Sequence, residues 1–326
     1  MHSPARARIV APLAAALLAA ALGGCGLGAG PKATDTQLLV SKDFGAEPVV
    51  QSDTPKTGGS DTVMRLLQRN APKVQTRFGG NFVQSIDGVA GGQRGGKSVD
   101  WFFYVNGILS GEGATAVKVH QGDRVWWDWH DWDYVDEIPA VVGSFPEPFL
   151  HGIDGRRLPT RVECAEPKSD ACNAVAGTIE DLGLVAARGG VGNSFVEDTL
   201  RIVVGPWRTI SAESTAGLIG KGPQKSGVFA KPSADGTSIA LLDEQGRTTR
   251  TLGAGTGLVA ATRANDNGGG GDKGEQISDP VWVVTGTDEA GVNAAADALD
   301  EGALAGRFAA VISDGKPIGL PDRGGS

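Results

Sequence analysis

Apolar and polar positions alternate with a period of two in several short stretches between residues 36 and 134, which predicts half-buried strands. Residues 36–41 make a first strand, Asp43-Phe44-Gly45 supplies turn chemistry, and residues 47–52 return as a hairpin partner. Ser60 or Asp61 then caps a helix over residues 62–70, with Val63, Leu66 and Leu67 on one face and Ala71-Pro72 as its stop. Residues 74–77 read as a weak strand and residues 82–86 as an alternating one turned by Asp87-Gly88. Residues 91–97 read as a glycine-rich mobile loop. In a strand over residues 99–105, Val99, Trp101, Phe103 and Val105 share one face, with Phe102 and Tyr104 on the other beside Asp100 and Asn106. Residues 115–119 alternate with a wet face carrying Lys118 and His120. In the last stretch Val125, Trp127 and Trp129 share a side, opposite Trp126, Asp128, His130 and Trp132.

The pattern changes after residue 138. Residues 139–150 hold Pro139, Pro146 and Pro148 and form a stiff connector, whose Val141, Val142, Phe145 and Phe149 predict packing against something. Aromatics then thin out. Strands over residues 161–163 and 200–205, a helix over 170–182, a helix near 213–219 and a strand over 227–230 follow. About 80 residues on, strand 281–286, helix 288–299 and strand 307–312 repeat that order, which suggests an internally duplicated βαβ-type unit. Residues 263–276 are polar and glycine-rich, the pattern of a mobile loop. The fold class is α+β: a first unit over residues 36–138, a connector over 139–150, an α/β-type unit over 151–320 and a tail over 321–326. A chain of 326 residues suits two domains.

The N-terminal run is of another kind. Arg6 and Arg8 precede an apolar stretch over residues 9–22 that is too short to span a bilayer, and Leu22-Gly23-Gly24-Cys25 follows. The four residues resemble a bacterial lipobox. This implies a signal peptide over residues 1–24, a diacylglyceryl group on Cys25, and a short tether over residues 25–35 holding the protein on the extracytoplasmic face of the membrane. Outside the cytosol the remaining pair, Cys164 and Cys172, reads as a disulfide. Losing Arg6 and Arg8 takes the formal charge from -8 to -10. A chain so acidic lacks the cationic face that nucleic acid requires.

Candidate chemistry concentrates at residues 99–134, which hold five of the seven tryptophans and both tyrosines. Gly253-Ala254-Gly255-Thr256-Gly257 lacks the following helix of a dinucleotide fingerprint, and no P-loop, Gly-x-Ser-x-Gly elbow or His-Glu-x-x-His motif is present. No catalytic or metal-ligating residue is assigned. His130 could meet a metal or sit hydrogen-bonded among its aspartates.

Three stretches carry a family resemblance: Thr62-Val63-Met64-Arg65-Leu66-Leu67, Gly80-Asn81-Phe82-Val83-Gln84-Ser85-Ile86-Asp87-Gly88-Val89 and Trp101-Phe102-Phe103-Tyr104-Val105-Asn106-Gly107. With Gly122-Asp123-Arg124-Val125-Trp126-Trp127 as a closing strand, they resemble the C-terminal domain of the transcobalamin and intrinsic factor family, and its bacterial lipoprotein relatives of uncharacterised function, over residues 36–130. The resemblance implies a β-grasp fold, in keeping with the order hairpin, helix, further strands, and a surface that closes over one face of cobalamin. The helical barrel that covers the other face in the animal carriers has no counterpart in this sequence. The candidate ligand-binding residues are Phe82, Gln84, Tyr104, Trp126, Trp129, His130, Trp132 and Tyr134. Three readings follow. The first is a non-enzymatic cell-surface lipoprotein that needs no cofactor and captures a small molecule, with a corrinoid first in line, for delivery to a membrane transporter. The second is a structural or protein-interaction module of the envelope, with the tryptophans as an interdomain or partner seam. The third is a cell-envelope hydrolase using Asp128, Asp131, Asp133 or Glu137.

Overall fold

The computed structural model describes residues 30–192, 198–263 and 280–324. The predicted signal peptide, Cys25, the start of the tether and most of the loop at 263–276 lie outside the described residues. No described helix is long and apolar enough to cross a membrane.

Strands β1 (Gln37–Lys42) and β2 (Glu47–Ser52) form the predicted hairpin, and helix α1 (Val63–Asn70) follows. The helix cap is Thr62, whose hydroxyl accepts the amide N–H of Arg65; neither Ser60 nor Asp61 holds that position. Asp61 instead accepts from Gly58 N–H and pairs with Arg69 in the last turn of α1. Strands β3 (Gln75–Arg77), β4 (Phe82–Ile86) and β5 (Val89–Ala90) make a small antiparallel sheet. Then come β6 (Gly92–Arg94), β7 (Lys97–Val105), β8 (Ile108–Leu109) and β9 (Arg124–Asp131). The main sheet of this unit runs β2-β1-β9-β7-β6, with β1 and β9 parallel and β8 pairing on β7. Its one face takes α1: Val63, Leu66 and Leu67 bury against Leu38, Val40, Trp101, Phe103, Val125, Trp127 and Trp129.

Two sequence expectations need correction here. Residues 91–97 are no loose loop, because Gly92 to Arg94 fold back on Lys97 to Val99 as a hairpin. Residues 115–119 form no strand beyond one bridge between Thr62 and Lys118. The carbonyls of Ala114 and Val117 have other work, accepting the free N–H groups of Met64 and Val63 at the start of α1.

The second unit is built on a seven-stranded sheet. Its elements in chain order are β10 (Thr160–Cys164), α2 (Asp170–Asp181), β11 (Ala186–Gly190), β12 (Leu200–Pro206) and three single-turn helices, α3 (Trp207–Ile210), α4 (Gly217–Gly220) and α5 (Pro223–Ser226). A small antiparallel sheet follows, of β13 (Ala230–Pro232), β14 (Ile239–Leu242) and β15 (Thr248–Leu252). The chain returns through β16 (Gly257–Arg263), β17 (Pro280–Gly286), α6 (Glu289–Asp297), α7 (Glu301–Leu304), β18 (Ala309–Ser313) and β19 (Lys316–Leu320). Strand order is β11-β10-β12-β17-β16-β18-β19, parallel as far as β17 and antiparallel beyond. The Cys164–Cys172 disulfide ties the end of β10 to the first turn of α2.

The 80-residue recurrence does not produce two like units. Of residues 227–230 only Ala230 lies in a strand, β13 of the separate small sheet, whereas residues 309–313 join the main one. The helix expected at 213–219 is broken into single turns. Helices α2 and α6 cover one face of the seven-stranded sheet. Its other face receives the first unit, and Val203, Leu258, Val281, Val283 and Val311 meet Phe44, Tyr104, Trp126, Ile138 and Val141 in a continuous core. The connector is part of this packing, since Val141, Val142, Phe145 and Phe149 are all buried.

Candidate functional site

Strand β7 has a gap along one edge. β6 pairs with its residues 97–99 and β8 with 104–105, so residues 100–103 have no strand neighbour opposite β9. A cleft of about 490 Å³ opens there, walled by Asn81, Phe82 and Val83 at the start of β4 and by residues 109–113 after β8. Six aromatic residues line it: Phe82, Phe102 and Trp132 are half-buried there, and Trp101, Phe103 and Trp127 belong to the core under α1 that backs it. Phe78, largely exposed, meets Phe82 edge-on at 6.3 Å and extends the aromatic surface outward.

The polar groups of the cleft are few. The Trp101 indole N–H donates to the carbonyl of Val89 at 3.0 Å, but the buried indole nitrogens of Trp127 and Trp132 have no hydrogen-bond partner. Asp100, Glu112 and Asp136 bring three carboxylates, and no lysine or arginine lines the space. Burial pushes the Asp100 carboxyl above its ordinary value of 3.8, and the indole of Trp132, near it without a well-formed hydrogen bond, only partly offsets that.

Of the eight residues singled out from the sequence, Phe82 and Trp132 lie on this cleft. Gln84 is half-buried two residues along β4. The other five are elsewhere. Trp129 lies in the core under α1, its indole N–H bonded to the Ala90 carbonyl and Arg94 stacked over its ring at 5.0 Å. Tyr134 lies over Gly246 of the second unit. Tyr104, Trp126 and His130 are sealed in the seam between units, each at most 2 % exposed. No solute can reach these three without parting the units.

The seam is organised by Asp128, which is fully buried. It accepts from the Ser41 hydroxyl at 2.5 Å, from the N–H groups of Phe44 and Gly45 at 2.9 and 2.8 Å, and from His130 Nδ1 at 2.9 Å. Ser41 in turn accepts the Trp126 indole N–H at 2.7 Å. The turn that supplies the two amides has three successive residues at positive φ, Asp43, Phe44 and Gly45. Such a turn points adjacent N–H groups at one anion, here a carboxylate. His130 is stacked between Phe44 and Phe102, with centroids at 4.7 and 4.5 Å, and Phe308 of the second unit stands edge-on at 5.5 Å.

Among the carboxylates considered for hydrolysis, Asp128 is committed to this network. Asp131 pairs with Lys97, Asp133 accepts from Ser98 N–H, and Glu137 pairs with Arg263. Each therefore has its own structural partner. Among the described residues no group of three or more histidines, cysteines or acids is placed to hold a metal ion. Asp100, Glu112 and Asp136 were missed by sequence reasoning because the cleft depends on where strand pairing on β7 stops, and no local pattern marks that point.

This cleft belongs almost wholly to one stretch of chain. Residues 60–131 match the family model of a domain of unknown function (DUF4430). The match runs from the cap of α1 to the end of β9 and spans every cleft residue except Trp132 and Asp136. It covers under a quarter of the chain and leaves the second unit unassigned. No curated protein matches the chain.

Proposed function

We propose that this chain is a lipid-anchored extracytoplasmic protein whose first unit is a β-grasp domain related to the C-terminal domain of the transcobalamin and intrinsic factor family. It captures a small ligand in the aromatic cleft and passes it to a membrane transporter. The observation that carries this reading is the cleft itself: six aromatic residues in its lining, two of them with buried indole N–H groups that lack a partner, and a volume within the range of about 300–1,000 Å³ usual for small-molecule sites. A hairpin, a helix across the sheet and parallel first and last strands support the β-grasp assignment. The resemblance makes a corrinoid the first ligand to test, seated by an edge or a side chain against Phe82, Phe102 and Trp132. His130 takes no part, because its Nδ1 is held by Asp128 and both ring faces are covered.

The test is a titration of the mature chain with cobalamin, followed by tryptophan fluorescence. Saturable quenching that is lost in Trp132→Ala supports the reading. An unchanged spectrum over a wide concentration range removes corrinoids, and unchanged spectra with varied flat or cationic solutes remove capture in this cleft altogether.

The interdomain reading is favoured for a different part of the aromatic run. Trp126, Tyr104 and His130 pack on Phe308, so these residues serve the joint between units and not a free surface. The two readings divide the tryptophans between them.

A further inference from the structure

We propose that the cleft on β7 is selective for organic cations and takes a quaternary or similarly desolvated ammonium group. This inference rests on the ligand-capture reading above and names the class of ligand. Aromatic faces carry the negative part of the ring quadrupole and attract a cation that sheds its water easily, which a quaternary ammonium does. Here Phe82, Trp132 and Phe102, the last with one face taken by His130, are half-buried aromatic residues of the lining, and Asp100, Glu112 and Asp136 add negative charge to it. None of these three carboxylates forms an ion pair among the described residues, whereas Asp131 and Asp133 close by are engaged with Lys97 and with the Ser98 amide. The nearest lysine on the strand, Lys97, is spent on Asp131 and Glu244 at 3.0 and 2.6 Å. A site with aromatic walls, acidic rims and no basic side chain repels anions and gives a neutral solute only its apolar contact. The chain already uses this chemistry once on the same sheet, where Arg94 lies over the Trp129 ring. The raised pKa of Asp100 agrees, being that of a partly buried carboxylate with no cationic side chain beside it.

The experiment compares choline with 3,3-dimethylbutanol, in which carbon replaces the quaternary nitrogen, by titrating each into the mature chain and following tryptophan fluorescence. Choline is expected to half-saturate the change at about one-tenth of the alcohol's concentration. Asp100→Asn with Asp136→Asn, checked for native circular dichroism, is expected to remove that preference while leaving the alcohol's weak binding in place; Glu112→Gln in an otherwise native chain gives a second, milder loss. A water-soluble short-chain phosphatidylcholine, titrated in parallel, tells a lipid headgroup from a free solute: binding as tight as choline assigns the headgroup as a natural source, and choline alone assigns a free cation. Equal affinity for choline and the alcohol overturns cation selectivity but leaves ligand capture standing. Silence from choline, the alcohol and cobalamin alike overturns both.

Discussion

Asp128 shows how one side chain can set the geometry of a joint. A carboxylate taken out of water must be paid for in hydrogen bonds, and this one receives four, two of them from the backbone of the β1–β2 turn. Those two amides hold Phe44 at φ +58°, a conformation that a bulky residue adopts only under constraint, and they thereby set its ring against His130 and Phe308. Asp128→Ala would leave a hydroxyl, an imidazole and two amides buried without their acceptor. The expected loss is about 3–5 kcal/mol, read as a shift of the urea midpoint at constant slope. A loss under about 1 kcal/mol would show that the turn has another anchor. Asp123 supplies a pH-dependent counterpart. Burial raises its pKa above 3.8, against the hydrogen bonds it accepts from the His120 amide and from Asn106. A carboxyl with a raised folded-state value contributes stability that is full below the unfolded value and lost as pH rises through the folded one. The advantage of the native chain over Asp123→Asn should therefore grow as pH is lowered from 7 toward 4 in urea titrations. An advantage that shrinks over that range would contradict the assignment.

At the scale of elements, what could be read from the sequence was whatever local periodicity dictates. The hairpin, α1 and both faces of β7 and β9 followed from alternation alone, because each of these strands has α1 on one side and the second unit on the other. Several of the failures share a cause, which is that partners were distant; the hairpin of residues 92–99 is instead local, and its glycines hid it. β16 is an interior strand, yet Leu258, Val259, Ala260 and Ala261 are buried on both faces and show no period of two. The glycines before it lack the following helix of a dinucleotide fingerprint, and in the fold Gly255 N–H donates to the Asp288 carboxylate, which also caps α6. The cleft escaped notice for the same reason, since it is defined by missing pairing beside Asp100 and not by any motif. The disulfide, by contrast, was readable from cysteine arithmetic. It closes a loop over a sequence separation of 8, for which chain-entropy arguments give about 2.5 kcal/mol. Cys164→Ser with Cys172→Ser should lower unfolding free energy by about that amount without altering any cleft titration, because neither cysteine approaches β7. A change in ligand response would mean that the two units communicate through α2.

On the scale of the whole molecule, the decisive feature is that the units share a core. Phe308 enters from the second unit and meets Phe44, Tyr104, Trp126 and His130 at centroid distances of 5.4, 5.6, 5.1 and 5.5 Å. Close backbone approach accompanies it: a Cβ on Gly45 would lie 2.1 Å from the Gly306 carbonyl oxygen, so only glycine fits at that crossing. Ion pairs Lys97–Glu244, Arg124–Glu301 and Glu137–Arg263 border the seam. They are half-exposed and contribute little next to the apolar contact. An apolar seam of this kind couples the units, so the native chain should unfold in one transition by both tryptophan fluorescence and far-ultraviolet circular dichroism. Phe308→Ala removes the shared ring from four aromatic neighbours at once, at an expected cost of about 3–5 kcal/mol. Because the α1-side core and the α2–α6 core do not depend on that ring, the loss should fall on the joint, and the two probes should separate into two transitions. The cleft on β7 lies outside the contacts made by Phe308, so ligand titration of the same variant below its first transition should match the native chain. Coincident transitions in Phe308→Ala would show instead that the first unit has no stability of its own, and that its cleft exists only while the second unit is docked.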